Sequence, residues 1–218
     1  MKFYPYSIFK LEDAFNLGIQ FIREVKSSII GRACGEDWDY GLIAQCVYNS
    51  SGGNFLEIGS LFGAGAIVVS KILNHFNFPG KVYVLDPLDG YYGTGNRDMS
   101  GYIPSVDILK QNVEKFGVSE RIEIVAKKSY PFPKELKDKK FSVSYIDGDH
   151  WGEMPYNDFQ SVKDITTHYI MFDNYDINHH AVVNACLKSI VDSWVPVHIS
   201  SISFILQNSP KVVEKFRL

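Results

Sequence analysis

Short apolar runs and helix-patterned stretches alternate through the middle of this chain, and that alternation points to a mostly parallel sheet with helices on both faces. The runs are Asn54–Ile58, Lys81–Leu85, Arg121–Val125, Phe141–Ile146 and Tyr169–Phe172. The helix-patterned stretches are Ala64–Phe76, Ser105–Phe116, Pro155–Ile165 and Ile177–Val191. Two further strand-like runs, Trp194–Ser200 and Ser203–Gln207, follow with only a few residues between them. That join is too short for a crossover helix, so it reads as a hairpin that places an antiparallel strand at the sheet's end. The expected fold is α/β, a seven-stranded and mostly parallel sheet with a C-terminal antiparallel strand.

Ahead of this pattern, Leu11, Phe15, Ile19, Ile22, Val25 and Ile29 recur at helical steps, with Gly31 as the stop. A second helix is expected over Tyr40–Tyr48, ending in the turn-rich 49–53 segment. No repeat or low-complexity linker marks a boundary. The 218 residues therefore read as one domain, with N-terminal helices in 1–50 and the α/β core in 51–218. The N-terminal helices either cover a pocket or form a homodimer contact.

A formal charge of −3 gives no electrostatic reason to expect a nucleic-acid partner. Cys34, Cys46 and Cys186 are odd in number and far apart, which suits reduced thiols and a cytoplasmic protein rather than a disulfide framework. The first residues, MKFYPYSIFKLEDAF, lack the apolar core of a signal peptide, and no apolar run is long enough to span a membrane.

In open α/β sheets ligands bind beyond the carboxyl ends of the strands, so chemistry is expected there. The first run leads into Glu57-Ile58-Gly59-Ser60-Leu61-Phe62-Gly63. Gly59 and Gly63 permit a tight turn and close approach of backbone to a ligand. A dinucleotide fingerprint needs glycine two residues after Gly59, where this chain has Leu61. The second run ends at Asp86, where a carboxylate can accept from ribose hydroxyls or cap the turn before Pro87.

The fourth run ends in Tyr145-Ile146-Asp147-Gly148-Asp149-His150-Trp151 and the fifth in Phe172-Asp173-Asn174. Adjacent parallel strands would bring Asp147, Asp173 and Asn174 to one sheet edge. Two carboxylates and an amide oxygen make a hard site suited to Mg²⁺, and neither loop offers the cysteines or paired histidines that zinc prefers. Both acids could instead cap the helices that follow, Asp149 is a rival for the inward position, and a metal-free site is a further alternative. His150 is a candidate general base because its ordinary pKa lies near working pH, or it bonds a loop carbonyl.

Taken together, these segments resemble the class I S-adenosylmethionine (SAM) dependent methyltransferases over about 54–176. FLEIGSLFGAGA is similar to their first motif, KVYVLDPLDG to the second-strand motif and IEIVAKKS to the third-strand region. The resemblance implies a Rossmann-like fold and a SAM site made by Glu57, Gly59, Ser60, Gly63, Asp86, Ser129 and Asp147. The Asp147 and Asp173-Asn174 segments further resemble divalent-metal O-methyltransferases of the catechol and caffeoyl-CoA kind. The IDGDH wording is closer to the macrocin-type bacterial enzymes and a related group labelled cephalosporin hydroxylases. This implies an enzyme with Mg²⁺ on Asp147, Asp173 and Asn174, and catalysis by His150 with Asp147. Plant and animal relatives carry a lysine just after this motif; here Gly152 and Glu153 follow Trp151, which favours His150 as base. The implied acceptor is a small hydroxylated molecule, a sugar or nucleotide-linked sugar first and a phenolic natural product second. A SAM-binding module without turnover and an NAD enzyme are the readings from other classes.

The segment Pro87–Pro104 reads as a long binding loop or lid beside the cofactor, with Arg97 as a phosphate or carboxylate clamp or as a solvated partner of Asp98. His179 and His180, after the metal loop, are candidates to face the acceptor; His180 is the one carried forward as a substrate residue.

Overall fold

The computed structural model describes residues 6–7, 13–192, 194–200 and 202–208. Two helices come first, α1 (Asp13–Lys26) and α2 (Asp37–Asn49), preceded by the two-residue strand β1 (Tyr6–Ser7). The α/β core follows as β2 (Phe55–Ile58), α3 (Ala64–His75), β3 (Val82–Leu85), α4 (Val106–Lys115), β4 (Ile122–Val125), the single turn α5 (Lys134–Lys137) and β5 (Phe141–Ile146). It continues through α6 (Met154–Val162), β6 (Thr166–Phe172), α7 (His180–Val191), β7 (Trp194–Ile199) and β8 (Phe204–Asn208).

The sheet order is β1-β7-β8-β6-β5-β2-β3-β4. Apart from β1, this is the expected seven-stranded sheet. The pairs β4·β3, β3·β2, β2·β5 and β5·β6 are parallel, whereas β8 runs antiparallel to both β6 and β7. One expectation is corrected: the antiparallel strand is not at the sheet's end. β7 leaves space beside β6, and β8 turns back into it, so the hairpin fills the gap. The edge beyond β7 is then paired with β1. No helix among the described residues is long and apolar enough to cross a membrane.

Side chains alternate across the pleat and are buried on both faces. Phe55, Val143, Tyr145, Tyr169 and Met171 pack on the face covered by α1–α4, while Leu56, Ile58, Ile146, Ile170 and Phe172 pack under α6 and α7. α2 is buried along most of its length, Asp39 to Val47, which is why its sequence carries little amphipathic signal. Its N-terminus is closed by a capping box between Glu36 and Asp39. α1 and α2 are thus members of the core, and the linker between them, with Tyr40 of α2, walls a cleft above the strand ends.

Boundaries moved where local chemistry competes with apolar periodicity. α1 ends at Lys26, short of Ile29 and Gly31; Leu11, the first residue of that pattern, lies outside the described residues. α6 stops at Val162 rather than Ile165, and β6 starts at Thr166, ahead of the expected Tyr169. α7 begins at His180 instead of Ile177, because the Asp176 carboxylate accepts from the Asn178 amide at 2.7 Å and holds a turn there.

Candidate active site

β2 pairs with β3 on one side and β5 on the other, so the chain's crossovers leave β2 in opposite directions. This is a topological switch point, where a crevice must open above the strand ends. A cleft of about 610 Å³ lies there. Register decides what faces it. Ile58 is level with both Leu85 and Ile146, and Ile146 is level with Phe172, so Gly59, Asp86, Asp147 and Asp173 all fall one residue beyond the last pairs. Phase decides the face. Glu57, Asp147 and Asp173 continue the alternation of Phe55, Tyr145 and Met171, which puts all three acids toward the α1–α3 side.

Gly59 has φ +83° and sits between two neighbours with no room to give. A Cβ on it would stand 2.0 Å from the Asp147 carbonyl oxygen. Gly63, with φ +90°, supplies the left-handed residue from which α3 starts. Glu57 is buried and accepts from the Ser60 hydroxyl at 2.7 Å. Removal from water pushes its carboxyl up to about 8, and Asp147 and Asp86 push the same way. Gly65 leaves the space that Glu57 occupies, since a Cβ there would meet Oε1 at 1.9 Å.

Asp86 holds the loop together. Its Oδ2 accepts from the Ser60 and Leu61 amides at 2.8 and 3.0 Å, and its Oδ1 accepts from the Leu88 amide at 2.8 Å. A carboxylate has about four acceptor directions, so only one, on Oδ1, is left for a ribose hydroxyl. The turn-capping role considered for Asp86 is present, and it coexists with a place on the cleft wall. Ser129 also lines the cleft, beside Asp158 of α6, a fully buried carboxyl that loss of hydration pushes up to about 7.

At the other end the Asp147 and Asp173 carboxyls face each other, with Tyr145 beside Asp147. Burial drives both acids toward the protonated form, Asp147 to about 8 with the charges of Asp39 and Asp86 pushing the same way, and Asp173 well upward with those of Asp147 and Asp39. Asp149 is exposed, accepting from the Trp151 amide at 3.0 Å in a local turn, so Asp147 is the inward member of the pair. Asn174 lines the cleft beside Asp173 with φ +55°. Two facing carboxyls with an amide next to them can hold a hard divalent cation, which would take the place of the shared proton. Among the described residues no trio of His, Cys, Asp or Glu converges on a metal position. His150 Nε2 lies 3.3 Å from Asp147 Oδ1, and burial lowers the imidazole pKa, which keeps the ring neutral and able to accept a proton.

The expected substrate residues are corrected. Arg97 is exposed and donates to the Gly101 carbonyl at 2.6 Å, outside the cleft. Its expected partner Asp98 is buried and paired with Arg32 from the α1–α2 linker. His180 is exposed at the start of α7, whereas His179 lines the cleft with its ring 5.3 Å from that of His150. Sequence reasoning missed Arg32, Tyr145, Tyr91 and Tyr92 as site residues. Tyr145 was within reach, since it stands two residues before Asp147 in a strand and must share its face. Arg32 was not, because nothing local ties it to Asp98.

The buried acids give a measurable pH dependence. A carboxyl whose folded pKa lies above its unfolded value stabilises the fold while protonated, and that stability is lost as pH rises through the folded value. For Glu57 the window runs from 4.5 to about 8. His150 and His198, whose folded values burial lowers, oppose the trend only while their unfolded imidazoles still titrate, up to about pH 7.5. The ligand-free protein is therefore expected to melt at progressively lower temperature from about pH 7.5 to 8.5, and Glu57→Gln to flatten the slope. Parallel curves for the two proteins would show that Glu57 is not the titrating group.

Comparisons with known proteins agree with this geometry. Residues 56–175 match the family described as methyltransferase domain. Among curated proteins, none matches the chain. Cofactor-bound Rv0187 from MTB has a similar solved structure, with a TM-score of 0.61 at 16% identity, covering 91% of this chain and 90% of that one. An O-methyltransferase from Bacillus cereus in complex with SAH is similar at TM-score 0.57 and 14% identity over 92% of each chain. CalS11, a TDP-rhamnose 3'-O-methyltransferase of calicheamicin biosynthesis, is similar at TM-score 0.56 and 12% identity, covering 92% of this chain and 97% of that one. At such identities the structures speak for the fold, the family match spans more than half of the sequence, and on that ground the chain belongs to the methyltransferase domain family.

Proposed function

We propose that this chain transfers the methyl group of SAM to a hydroxyl of a small acceptor. The observation that carries the reading is the convergence of the Asp147–Asp173 pair and His150 on the cleft that the Gly59 loop and Glu57 also border. The B. cereus neighbour bound to SAH supports the cofactor, and the O-methyltransferases among the neighbours support the reaction.

The methionyl ammonium of SAM would lie toward Glu57, one ribose hydroxyl on the free side of Asp86 Oδ1, and the adenine toward Ser129. Binding that cation favours the ionised Glu57, so cofactor capture draws the buried carboxyl to its charged form. In the transfer step the sulfonium carbon–sulfur bond breaks as the acceptor oxygen–carbon bond forms, releasing S-adenosylhomocysteine (SAH). The hydroxyl proton passes to His150, whose ring Asp147 orients. A Mg²⁺ held by Asp147, Asp173 and Asn174 would supply Lewis-acid stabilisation of the acceptor oxygen. His179, also in the cleft, is bonded through Nδ1 to Asp176 at 2.8 Å and would orient the acceptor.

For the acceptor, a sugar or nucleotide-linked sugar is the first choice, on the likeness of the IDGDH segment to macrocin-type enzymes. A phenolic hydroxyl is the second, favoured by Tyr91 and Tyr92 on the cleft wall. Calorimetric titration with SAM, SAH and NAD is the direct test. SAM and SAH are expected to bind and NAD to give no heat; NAD binding without SAM binding would sink the proposal. Mass spectrometry of acceptor panels with isotopically labelled SAM then reads the transfer itself.

A further inference from the structure

Among the described residues, Arg32 is one of two Lys or Arg side chains that line the cleft. Lys128, the other, lies with Ser129 after β4. Arg32 sits in the α1–α2 linker, and Cys34, two residues on, lies within electrostatic reach of Arg32, Asp147 and Asp173 together. Its Nε donates to Asp98, whose side chain is wholly buried and also accepts from the Ser100 amide at 2.8 Å and from the Ser100 hydroxyl. That anchoring closes the 87–104 loop, together with the Asp89–Ser105 bridge at its base. It uses one edge of the guanidinium only. Among the described residues the two terminal nitrogens of Arg32 have no hydrogen-bond partner, and the side chain is 31% exposed where it meets the cleft.

A planar fork held by a buried carboxylate and open on its far edge is arranged to receive an oxyanion in two-point fashion. With cofactor bound, the ionised Glu57 would repel a negative group at the cofactor end of the cleft. We propose that Arg32 is the subsite for an oxyanion carried by the acceptor, a phosphate or a carboxylate, set apart from the hydroxyl that is methylated. Resting on the methyltransferase reading above, this narrows its acceptor class to anionic molecules. The loop-anchoring role of Arg32 is the means of orienting it.

The test uses the full chain loaded with SAH and titrates it calorimetrically with thymidine diphosphate in one arm and 3,4-dihydroxybenzoate in the other. Wild-type protein is expected to bind one of the two, and the arm that responds identifies the source of the oxyanion. Arg32→Gln is expected to weaken that probe about thirtyfold, the loss of one charge-assisted two-point contact, with SAH affinity changed by less than about threefold. Arg32→Lys keeps the charge without the fork and should fall between the two. A lack of binding in both arms by the SAH-loaded protein would overturn the inference while leaving the cofactor reading intact. So would equal affinity in wild type and Arg32→Gln, or a joint fall in probe and SAH affinity that marks a purely structural arginine. Failure of SAH to bind at all is a different outcome, and it would bring down the methyltransferase mechanism first.

Discussion

Gly59→Ala is expected to abolish measurable SAH binding, a loss of at least about a hundredfold, and to lower the melting temperature by about 10 °C. Backbone strain and steric overlap add here. The residue sits at φ +83°, where a side chain brings about 1 kcal/mol or more of backbone strain. The overlap costs more: the new Cβ would lie 2.0 Å from the Asp147 carbonyl oxygen and 2.9 Å from the Gly148 Cα. Those atoms are backbone, and Asp147 is tied to β2 by its amide, which donates to the Ile58 carbonyl at 2.8 Å. Relief therefore requires β2 and β5 to part at the edge where Asp86, Glu57 and Asp147 converge. About 3 kcal/mol in total corresponds to roughly 6–12 °C for a domain of this size. Gly95→Ala separates strain from overlap, because Gly95 has φ +72° with nothing within 4 Å of the added carbon. It should show the strain alone, as a shift of a few degrees with SAH affinity unchanged. Near wild-type SAH affinity in Gly59→Ala would mean that the first loop is not where the cofactor lies.

How far the sequence reached is clear from these same residues. Short, mostly apolar runs at Phe55–Ile58 and Phe141–Ile146, buried on both faces and separated by helical stretches, are a local pattern, and the parallel strands followed from it. The acids at the strand ends were legible for the same reason: a residue one step past a buried strand cannot escape the edge. What stayed hidden depends on contacts between distant segments. The insertion of β8 between β6 and β7 is set by which edge is still unpaired when the hairpin folds back, and hairpin sequence does not encode that. Asp98 chose Arg32 over its neighbour Arg97 because the 87–104 loop curls inward at Asp98, leaving Arg97 on the outside. His179 faces inward and His180 outward because the Asp176 turn delays the start of α7, a single-residue matter of phase. Asp86 shows a subtler limit, since position alone marks a ribose ligand but not that three backbone amides already occupy it.

Asp173→Asn should move activity and stability in opposite directions. Asp173 is 7% exposed, faces Asp147, and is held toward its neutral form by burial and by the charges of Asp147 and Asp39. At pH 8 the unfolded chain ionises Asp173 freely whereas the fold holds it toward its neutral form, and an amide of the same shape removes that penalty. A gain of about 2 kcal/mol, roughly 5 °C, is expected in metal-free protein at pH 8. The gain should shrink toward pH 5, where the wild-type acid is itself protonated, which follows from its raised pKa. Turnover should meanwhile fall about a thousandfold, because the same charge is what draws positive character, a proton or a cation, to the acceptor oxygen. SAH affinity should stay within about threefold of wild type, since the loop of Glu57 and Asp86 is untouched. Stripping the wild type with EDTA and restoring Mg²⁺ divides the remaining cases. Recovery on Mg²⁺ addition in wild type but not in Asp173→Asn assigns the charge to metal binding; turnover insensitive to EDTA leaves the acids to act on His150 alone. A variant that is both less stable at pH 8 and fully active would contradict the account of the pair, because a carboxylate buried beside another carboxylate is retained only where its charge is used.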